Sequence, residues 1–278
     1  MENPLASLKP IITLLTDFGS HDYFVGAMKG VILSINPAAH LIDITHEIPP
    51  QDIHNAAFNL LAAYKDFPAN TIHLAVVDPG VGSVRRPVLI ECGNQFFVGP
   101  DNGIFSWVCQ REGHYRAIHL TNEKFFRHPV SATFHGRDIF APVAAALSTG
   151  VPAEAFGPAI DNLIHLESLA PAVISNGAID GRIIHIDRFG NCITNLTGAD
   201  FPEQPAGVSL IINGHEITSF RHYFSEGIHA PNEVFGVVGS AGFIEIAAVN
   251  TSAAAILGAQ SGQAVKLMLT PNEQRRGN

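Results

Sequence analysis

The chain has few cysteines, and they form no pattern typical of a metal site or a disulfide framework. Its three cysteines, Cys92, Cys109 and Cys192, are odd in number and include no CxxC pair. A structural zinc site is therefore not expected, and a reducing compartment suits the chain best.

Positive charge and long hydrophobic runs are also scarce. Only 16 residues are Lys or Arg against 25 Asp or Glu, and no basic stripe of the kind that binds nucleic acid is present. No apolar run approaches the roughly 18 residues that a membrane helix needs, and residues 1–15 lack a signal-peptide pattern. We expect a cytoplasmic protein that binds neither nucleic acid nor membrane.

What the chain does have is apolar content sufficient for folded cores. Hydrophobic residues make up 46% of the 278 residues and charged residues 15%, which argues against disorder. A chain of this length forms one large domain or two ordinary ones.

The first half of the chain alternates strand-like and helix-like segments. Such alternation predicts an α/β domain with a mostly parallel sheet that is covered on both faces. The strand-like segments are 11–15, 41–44, 72–77, 88–90 and 96–98, and the helix-like segments are 24–35, 52–64 and 137–147.

The pattern changes near residue 170, where short strands separated by Gly, Asn and Pro begin. This pattern predicts a smaller all-β, barrel-like domain. We place the α/β domain at 8–170 and the all-β domain at 178–270. The later strand-like segments are 181–186, 208–212, 234–238, 243–247 and 265–269, with a helix-like segment at 252–257.

The stretch Thr71–Arg86 is the most informative part of the sequence. Its apolar run predicts a buried strand that ends in Asp78, followed by Pro-Gly-Val-Gly-Ser and the arginines Arg85 and Arg86. A carboxylate at the carboxyl end of a buried strand stands where open α/β sheets bind ligands. For a single Asp-Pro-Gly, a surface turn with a capping Asp is the plain alternative.

Asp17 repeats this arrangement, because it also follows an apolar strand. Two such carboxylates at one sheet edge suit either the two hydroxyls of a ribose or Mg²⁺ held through oxygens. For Asp17 alone, a capping role is the structural alternative.

His135 stands directly before a helix-like stretch, in the sequence Phe-His-Gly-Arg-Asp. A histidine at such a junction is suited to orienting or deprotonating a water molecule. A satisfied loop histidine is the alternative. We expect seven other histidines to be structural: His21, His46, His54, His73, His114, His119 and His128.

The second half offers three further candidate binding features. Asp187 and Asn191 suit a zwitterionic amino-acid head group or a hairpin turn. The glycines around Ser240 allow close approach of a ligand or form a tight turn. Tyr223 suits stacking on a base, although adjacent aromatics are commonly core residues.

Seven motifs, taken in order, resemble those of the S-adenosyl-L-methionine (SAM) hydroxide adenosyltransferases. These are SAM hydrolases related to the SAM-dependent fluorinases and chlorinases. The motifs are Thr16–Asp22, Thr45–Ile53, Val77–Arg86, Phe97–Phe105, Phe134–Pro142, Ile186–Asn195 and Gly239–Ala247.

The resemblance implies an α/β domain, a β-barrel domain and a homotrimer with active sites between subunits. It implies that Asp78, Arg85 and His135 hold the attacking water or hydroxide, and that Asp17 binds the ribose. It further implies methionine and nucleoside contacts from Asp187, Asn191 and Ser240, with SAM as substrate and no cofactor or metal. The full predicted substrate-binding set is Asp17, Asp22, Gly136, Asp187, Phe189, Asn191, Tyr223 and Ser240.

Two departures within this resemblance refine the expectation. The halogenating relatives carry Tyr and Thr where this chain has Asp78 and Val81, and Tyr-Ser where it has His135-Gly136, which disfavours a halide pocket. The spacing from Ser240 to Asn250 is one residue longer than the family pattern, so the adenine contacts near 248–250 are left open.

The sequence thus predicts hydrolysis of SAM to adenosine and L-methionine, by attack of water on the ribose 5′ carbon. Three alternatives remain open at this point. They are a halide-using SAM lyase, a non-catalytic adenosine- or SAM-binding module, and a Mg²⁺-dependent phosphohydrolase built on Asp17 and Asp78.

Overall fold

The computed structural model describes residues 9–174, 178–200, 207–226 and 230–269. The chain divides into two compact units, Met1–Ser168 (unit 1) and Leu169–Asn278 (unit 2). The predicted domain limits at residues 8 and 270 lie outside the described residues. None of the helices in the described ranges has both the length and the hydropathy needed to cross a membrane.

Unit 1 is an α/β unit built on a single seven-stranded sheet of order β2-β1-β3-β5-β4-β6-β7. Its strands are β1 (Ile11–Thr16), β2 (His40–Thr45), β3 (Ile72–Val76), β4 (Pro87–Cys92), β5 (Gln95–Pro100), β6 (Tyr115–His119) and β7 (Ala159–Ile160). Its α-helices are α1 (Phe24–Ile35), α2 (Ile53–Ala63), α3 (Ser106–Glu112) and α4 (Ala141–Ser148), and a π-helical turn, Gly136–Phe140, leads directly into α4.

The strands β2, β1, β3 and β5 run parallel, so their carboxyl ends lie at one edge of the sheet. Strand β4 joins β5 as an antiparallel hairpin, and β6 and β7 extend this side. The hairpin turn is Gly93-Asn94, with φ angles of 58° and 61°, as a two-residue type I′ turn requires. The connection from β3 to β4 therefore passes the end of β5, which lies between them.

The core of unit 1 forms where helices cover this sheet. All five residues of β3 are buried, because helices pack on the sheet around it. Met28 and Ile32 of α1 join α4 in one hydrophobic cluster with β1 and β3. Helix α2 contacts β1, β2 and α3, and Asp52 caps its first turn, because the Asp52 carboxylate accepts a hydrogen bond from the Asn55 N–H at 2.9 Å.

The described residues of unit 2 form β-strands, one short α-helix and a single 3-10 turn at Gly198–Asp200. Its sheet has the order β12-β11-β16-β9-β10-β15-β14-β13, with β8 paired to β9. These elements confirm the predicted fold class, an α/β domain followed by a smaller all-β domain. The elements are β8 (Ala172–Ile174), β9 (Ala178–Ile186), β10 (Cys192–Thr197), β11 (Val208–Ile212), β12 (His215–Ile217), β13 (Phe220–Arg221), β14 (Val234–Val238), β15 (Phe243–Ala248), α5 (Ala253–Leu257) and β16 (Ala264–Leu269).

Candidate active site

A buried ion pair, Asp78–Arg85, lies just beyond the carboxyl end of β3. Nε of Arg85 donates to Oδ1 of Asp78 at 2.8 Å, and Nη2 donates to Oδ2. The side chains are only 5% (Asp78) and 8% (Arg85) exposed. Two parallel hydrogen bonds fix the plane of the guanidinium as well as its position.

The loop between the two partners turns twice and brings Arg85 back to Asp78. The N–H of Val81 donates to the Asp78 carbonyl at 3.2 Å, and that of Ser83 donates to the Gly80 carbonyl at 3.1 Å. Gly82 has a φ of +76°, and a Cβ there would stand 2.3 Å from the carbonyl oxygen of Ala132. Only glycine therefore lets this loop lie against the segment that precedes His135.

His135 completes a group of three with this ion pair. It directly precedes the π-helical turn, and its Nδ1 lies 2.8 Å from Nη2 of Arg85. Since arginine can only donate, Nδ1 is the acceptor and a neutral ring carries its proton on Nε2. Burial, together with repulsion from Arg85, lowers the pKa of His135, although Asp78 and Asp138 oppose this. The arrangement makes His135 a donor through Nε2 and not a base through Nδ1.

One donor of this group has no partner. Nη1 of Arg85 is buried, and no residue in the described ranges hydrogen-bonds to it. The guanidinium carbon lies 5.1 Å from the ring centroid of Phe140, in the π-helical turn. A buried unpaired donor costs about 1–3 kcal/mol, and a small acceptor such as a water or hydroxide oxygen relieves that cost.

Asp138 anchors the segment that carries His135. Its fully buried carboxylate accepts hydrogen bonds from Nε of Arg137 at 2.7 Å, Nη1 of Arg127 at 3.2 Å and the N–H of Ser131 at 2.9 Å. Burial alone raises the pKa of Asp138, but these donors outweigh it and the pKa is lowered. The carboxylate thus ties both ends of the segment 127–138 together.

Asp17 lies at the same sheet edge as Asp78. The register pairs Thr16 of β1 with Val76 of β3, and each carboxylate follows within two residues. The N–H of Gln51 donates to Oδ2 of Asp17 at 2.8 Å, and no described residue hydrogen-bonds to Oδ1. The acceptor that remains suits a hydroxyl group.

An aromatic cluster that was not predicted from the sequence adjoins Asp17. The Phe134 ring lies 5.2 Å from Phe24 and 6.0 Å from Phe18, and Tyr23 stacks on Phe24 at 4.5 Å. The signal was present in the sequence as aromatic residues directly after Asp17 and directly before His135.

Two predicted substrate-binding residues of unit 1 differ in their surroundings. Asp22 is exposed in the loop before α1. Gly136 is buried, and a Cβ there would meet Sδ of Met28 at 3.2 Å and the ring of Phe134 at 3.3 Å. A side chain at position 136 would therefore fit tightly against Met28 and Phe134.

Unit 2 contains a cavity of about 830 Å³ that brings five predicted residues together. Its aromatic side chains are well exposed, at 72% for Phe189, 58% for Tyr223 and 53% for Phe224. The predicted residues that line it are Asp187, Phe189, Asn191, Tyr223 and Ser240.

Asp187 forms a turn and also lines this cavity. Its Oδ1 accepts from the N–H groups of Phe189 and Asn191, and its Oδ2 from Nδ2 of Asn191, each at 2.9 Å. The two alternatives that the sequence left open for Asp187, a turn and a position facing a ligand, are therefore both present. The carboxylate has already used most of its accepting capacity.

Glu245 is a carboxylate of this cavity that sequence reasoning missed. It lies over Gly239, where a Cβ would overlap its Oε1, and no described residue hydrogen-bonds to its side chain. Burial and the nearby Asp187 raise its pKa. The signal was the alternation of β15, which turns Glu245 away from the core residues Ile244 and Ile246.

The donor set at the edge of the unit 1 sheet does not fit a Mg²⁺ site built on Asp17 and Asp78. Both oxygens of Asp78 accept from Arg85, so neither is free for the coordination that Mg²⁺ demands. No cluster of three His, Cys, Asp or Glu suited to a metal occurs in the described ranges.

Comparison with known proteins identifies both units. Residues 12–157 match the family described as SAM hydroxide adenosyltransferase N-terminal domain, and residues 181–266 match its C-terminal domain. A protein of Salinispora tropica named (R)-S-adenosyl-L-methionine hydrolase is 38% identical over 93% of this chain and 97% of its own length. One of the same name from Thermus thermophilus is 36% identical over 94% of this chain and 100% of its own.

Structure comparison agrees with this. A crystal structure of an uncharacterized conserved protein from Thermotoga maritima superposes with a TM-score of 0.85 at 35% identity, covering 92% of this chain and 99% of that one. Relatives named fluorinase are more distant, such as one from Actinoplanes sp. at 26% identity over 75% of this chain and 80% of its own length. The chain belongs to the SAM hydroxide adenosyltransferase family.

Proposed function

We propose that this protein is an enzyme that hydrolyses SAM to adenosine and L-methionine, by attack of water or hydroxide on the ribose 5′ carbon. The observation that carries this proposal is the unpaired, buried Nη1 donor of Arg85, held beside Asp78 and His135. The names of the relatives at 36–38% identity support the substrate and the reaction.

In this reaction a C5′–O bond forms as the C5′–S bond breaks. The bonding electron pair moves to sulfur, which leaves as the neutral thioether of methionine and needs no general acid. The oxygen nucleophile loses its proton to solvent. The enzyme then has to orient the nucleophile and the carbon, and to hold an oxygen with hydroxide character. SAM is the substrate, and the proposal includes no cofactor and no metal.

The four polar side chains of unit 1 have separate roles in this proposal. Arg85 donates from Nη1 to the attacking oxygen, and His135 donates from Nε2, so that both stabilise negative charge on it. Asp78 holds the guanidinium in place through its two hydrogen bonds. Asp17 binds the ribose hydroxyls, so that the 5′ carbon faces the nucleophile.

Residues of unit 2 bind the rest of the substrate in this proposal. Asp187, Asn191 and Ser240 contact the methionine and nucleoside parts, and Phe189 and Tyr223 offer faces for stacking. We infer a homotrimer in which each site takes residues of both units from neighbouring subunits. Light scattering coupled to size-exclusion chromatography tests this, and a monomer with full activity would rule it out.

Incubation with SAM, followed by chromatography of the nucleoside product, tests the function. We expect adenosine and methionine in equal amounts, in buffer that contains chelator. A 5′-halo-adenosine formed in chloride or fluoride would instead show the halide-using lyase, which the presence of Asp78 and His135 disfavours. Nucleoside binding without methionine release would show a binding module.

A further inference from the structure

A second series of polar side-chain contacts in unit 1 ends beside Asp17. Thr16, the last residue of β1, is fully buried, and its Oγ1 lies 2.8 Å from Nδ1 of His46. The N–H of Phe18 donates to the same Oγ1 at 3.3 Å. The residues before and after Asp17 are therefore held by one hydroxyl group.

The direction of these hydrogen bonds follows from which atoms can donate. The buried hydroxyl of Thr16 has no described acceptor besides His46, so it donates to Nδ1. Nε2 of the same ring is buried and lies 3.0 Å from Oδ1 of Asp43, although the angles at this contact do not make a hydrogen bond. Nζ of Lys29 donates to the other oxygen of Asp43 at 2.6 Å. Burial raises the pKa of Asp43, but Lys29 and His46 together lower it more.

His46 also contacts the Asp17 loop through its backbone. Its carbonyl oxygen accepts from the N–H of Gly19 at 2.8 Å. The segment that follows His46 supplies the N–H of Gln51, which donates to Oδ2 of Asp17. His46 thus fixes the loop on both sides of the carboxylate.

We propose that His46 is a positioning residue that acts through Thr16 to hold the Asp17 carboxylate in place for the ribose hydroxyls. This inference revises the purely structural role expected for His46, and it rests on the ribose-binding role proposed for Asp17.

A second threonine–histidine pair on strand β1 offers a matched control. Thr13 is also buried, and its Oγ1 lies 2.8 Å from Nδ1 of His73. That ring continues to Gln95 at 3.2 Å, whose Nε2 donates to carbonyls of residues 64, 67 and 68. Among the described residues, no side-chain hydrogen bond or ring contact joins Thr13 or His73 to residues 16–19, so the pair shares the chemistry of Thr16–His46 and not its position.

The experiment compares Thr16→Val with Thr13→Val, using adenosine and 2′,3′-dideoxyadenosine as probes. Calorimetry gives the dissociation constant of each nucleoside, and steady-state assays give kcat and KM for SAM. We expect Thr16→Val to weaken adenosine binding and raise KM about 10-fold or more, since a displaced carboxylate loses its charge-assisted hydrogen bonds to the ribose hydroxyls. Binding of the dideoxynucleoside should change less than twofold.

Thr13→Val should lower the melting temperature and leave the preference for adenosine over the dideoxynucleoside as in the wild type. Thr16→Ser should restore that preference, because it returns the hydroxyl. His46→Asn, which retains a polar atom near Nδ1, is the second variant if Thr16→Val fails to fold. It should keep more of the preference than His46→Phe.

The readouts separate this inference from the proposed function. A folded Thr16→Val variant with the wild-type preference overturns the positioning role, even if SAM is hydrolysed. A wild-type protein that prefers adenosine but releases no methionine overturns the proposed function alone. A wild-type protein with equal affinity for both nucleosides overturns the ribose role of Asp17 and this inference with it.

Discussion

Nδ1 of His135 lies 2.8 Å from Nη2 of Arg85, a contact that holds only while the imidazole is neutral. Protonation would place two donors face to face and add a second positive charge beside the guanidinium. The proposed site therefore works with a neutral histidine. This gives the enzyme a defined dependence on pH.

We predict that kcat/KM for SAM falls on the acid side with a midpoint below 6.5, the ordinary pKa of histidine, because burial and Arg85 lower the pKa of His135. Arg85→Gln removes the repulsion, so its residual activity should show a midpoint at higher pH. A pH profile of both proteins checks this, with Arg86→Gln as the control. An unchanged midpoint in Arg85→Gln would contradict the assigned contact.

The neighbouring arginines allow a matched test of the nucleophile site. Arg85→Lys removes the paired hydrogen bonds to Asp78, and we expect kcat to fall by about 10²–10³-fold. Arg86 instead donates to Asp101 at 2.9 Å and to Asn162 at 2.7 Å. Arg86→Lys should lower the melting temperature and keep kcat within about twofold. Equal losses in both variants would show that only loop stability is measured.

Gly82→Ala tests the packing of the Asp78–Arg85 loop. The added Cβ meets the carbonyl of Ala132, so the loop must move relative to His135. Because misplacement by about 1 Å costs up to about 10²-fold, we expect kcat/KM to fall 10-fold or more. Gly113 has a similar φ of +74° with no atom within 4 Å of the added Cβ, so Gly113→Ala supplies the control for backbone strain. Full activity in Gly82→Ala would remove the steric argument.

His73 predicts how stability depends on pH. It is fully buried, and burial lowers its pKa to about 4 from an ordinary value of 6.5. Between these two pKa values, His73 is therefore protonated in the unfolded chain and neutral in the folded chain. The part of the free energy of unfolding that comes from this difference, up to about 3 kcal/mol, is fully present above pH 6.5 and is lost as the pH falls towards 4. Urea unfolding at pH 7.5 and pH 5 measures it, and His73→Gln should reduce the difference between the two pH values.

The parts of the fold that the sequence predicts well are those with a clear period. The helix over 24–35 and the strand that ends at Val76, two residues before Asp78, follow from apolar spacing and from the turns after them. Strand β10 was missed, because polar Thr194 and Asn195 interrupt its apolar pattern and are buried by partners elsewhere. Strands β4 and β5 were predicted, at 88–90 and 96–98, but their antiparallel pairing was not, although Gly93-Asn94 carried its signal.

Residue types predicted the members of the candidate site better than their contacts. Asp78, Arg85 and His135 were named from motifs, but the acceptor role of Nδ1 required the distance to Arg85. Likewise, Asp187 and Asn191 were named as partners of a ligand, and the structure shows that they also bind each other. Local patterns do not show which hydrogen bonds are already used.

The position of β5 has a kinetic consequence. It follows β3 and β4 in the chain but lies between them in the sheet, so the connection over 77–86 reaches its native span only after β5 is paired on both sides. We expect Arg85 and His135 to meet only after that step. During refolding, catalytic competence should therefore arrive last, behind the burial of Trp107, the sole tryptophan of the chain and a ready fluorescent reporter.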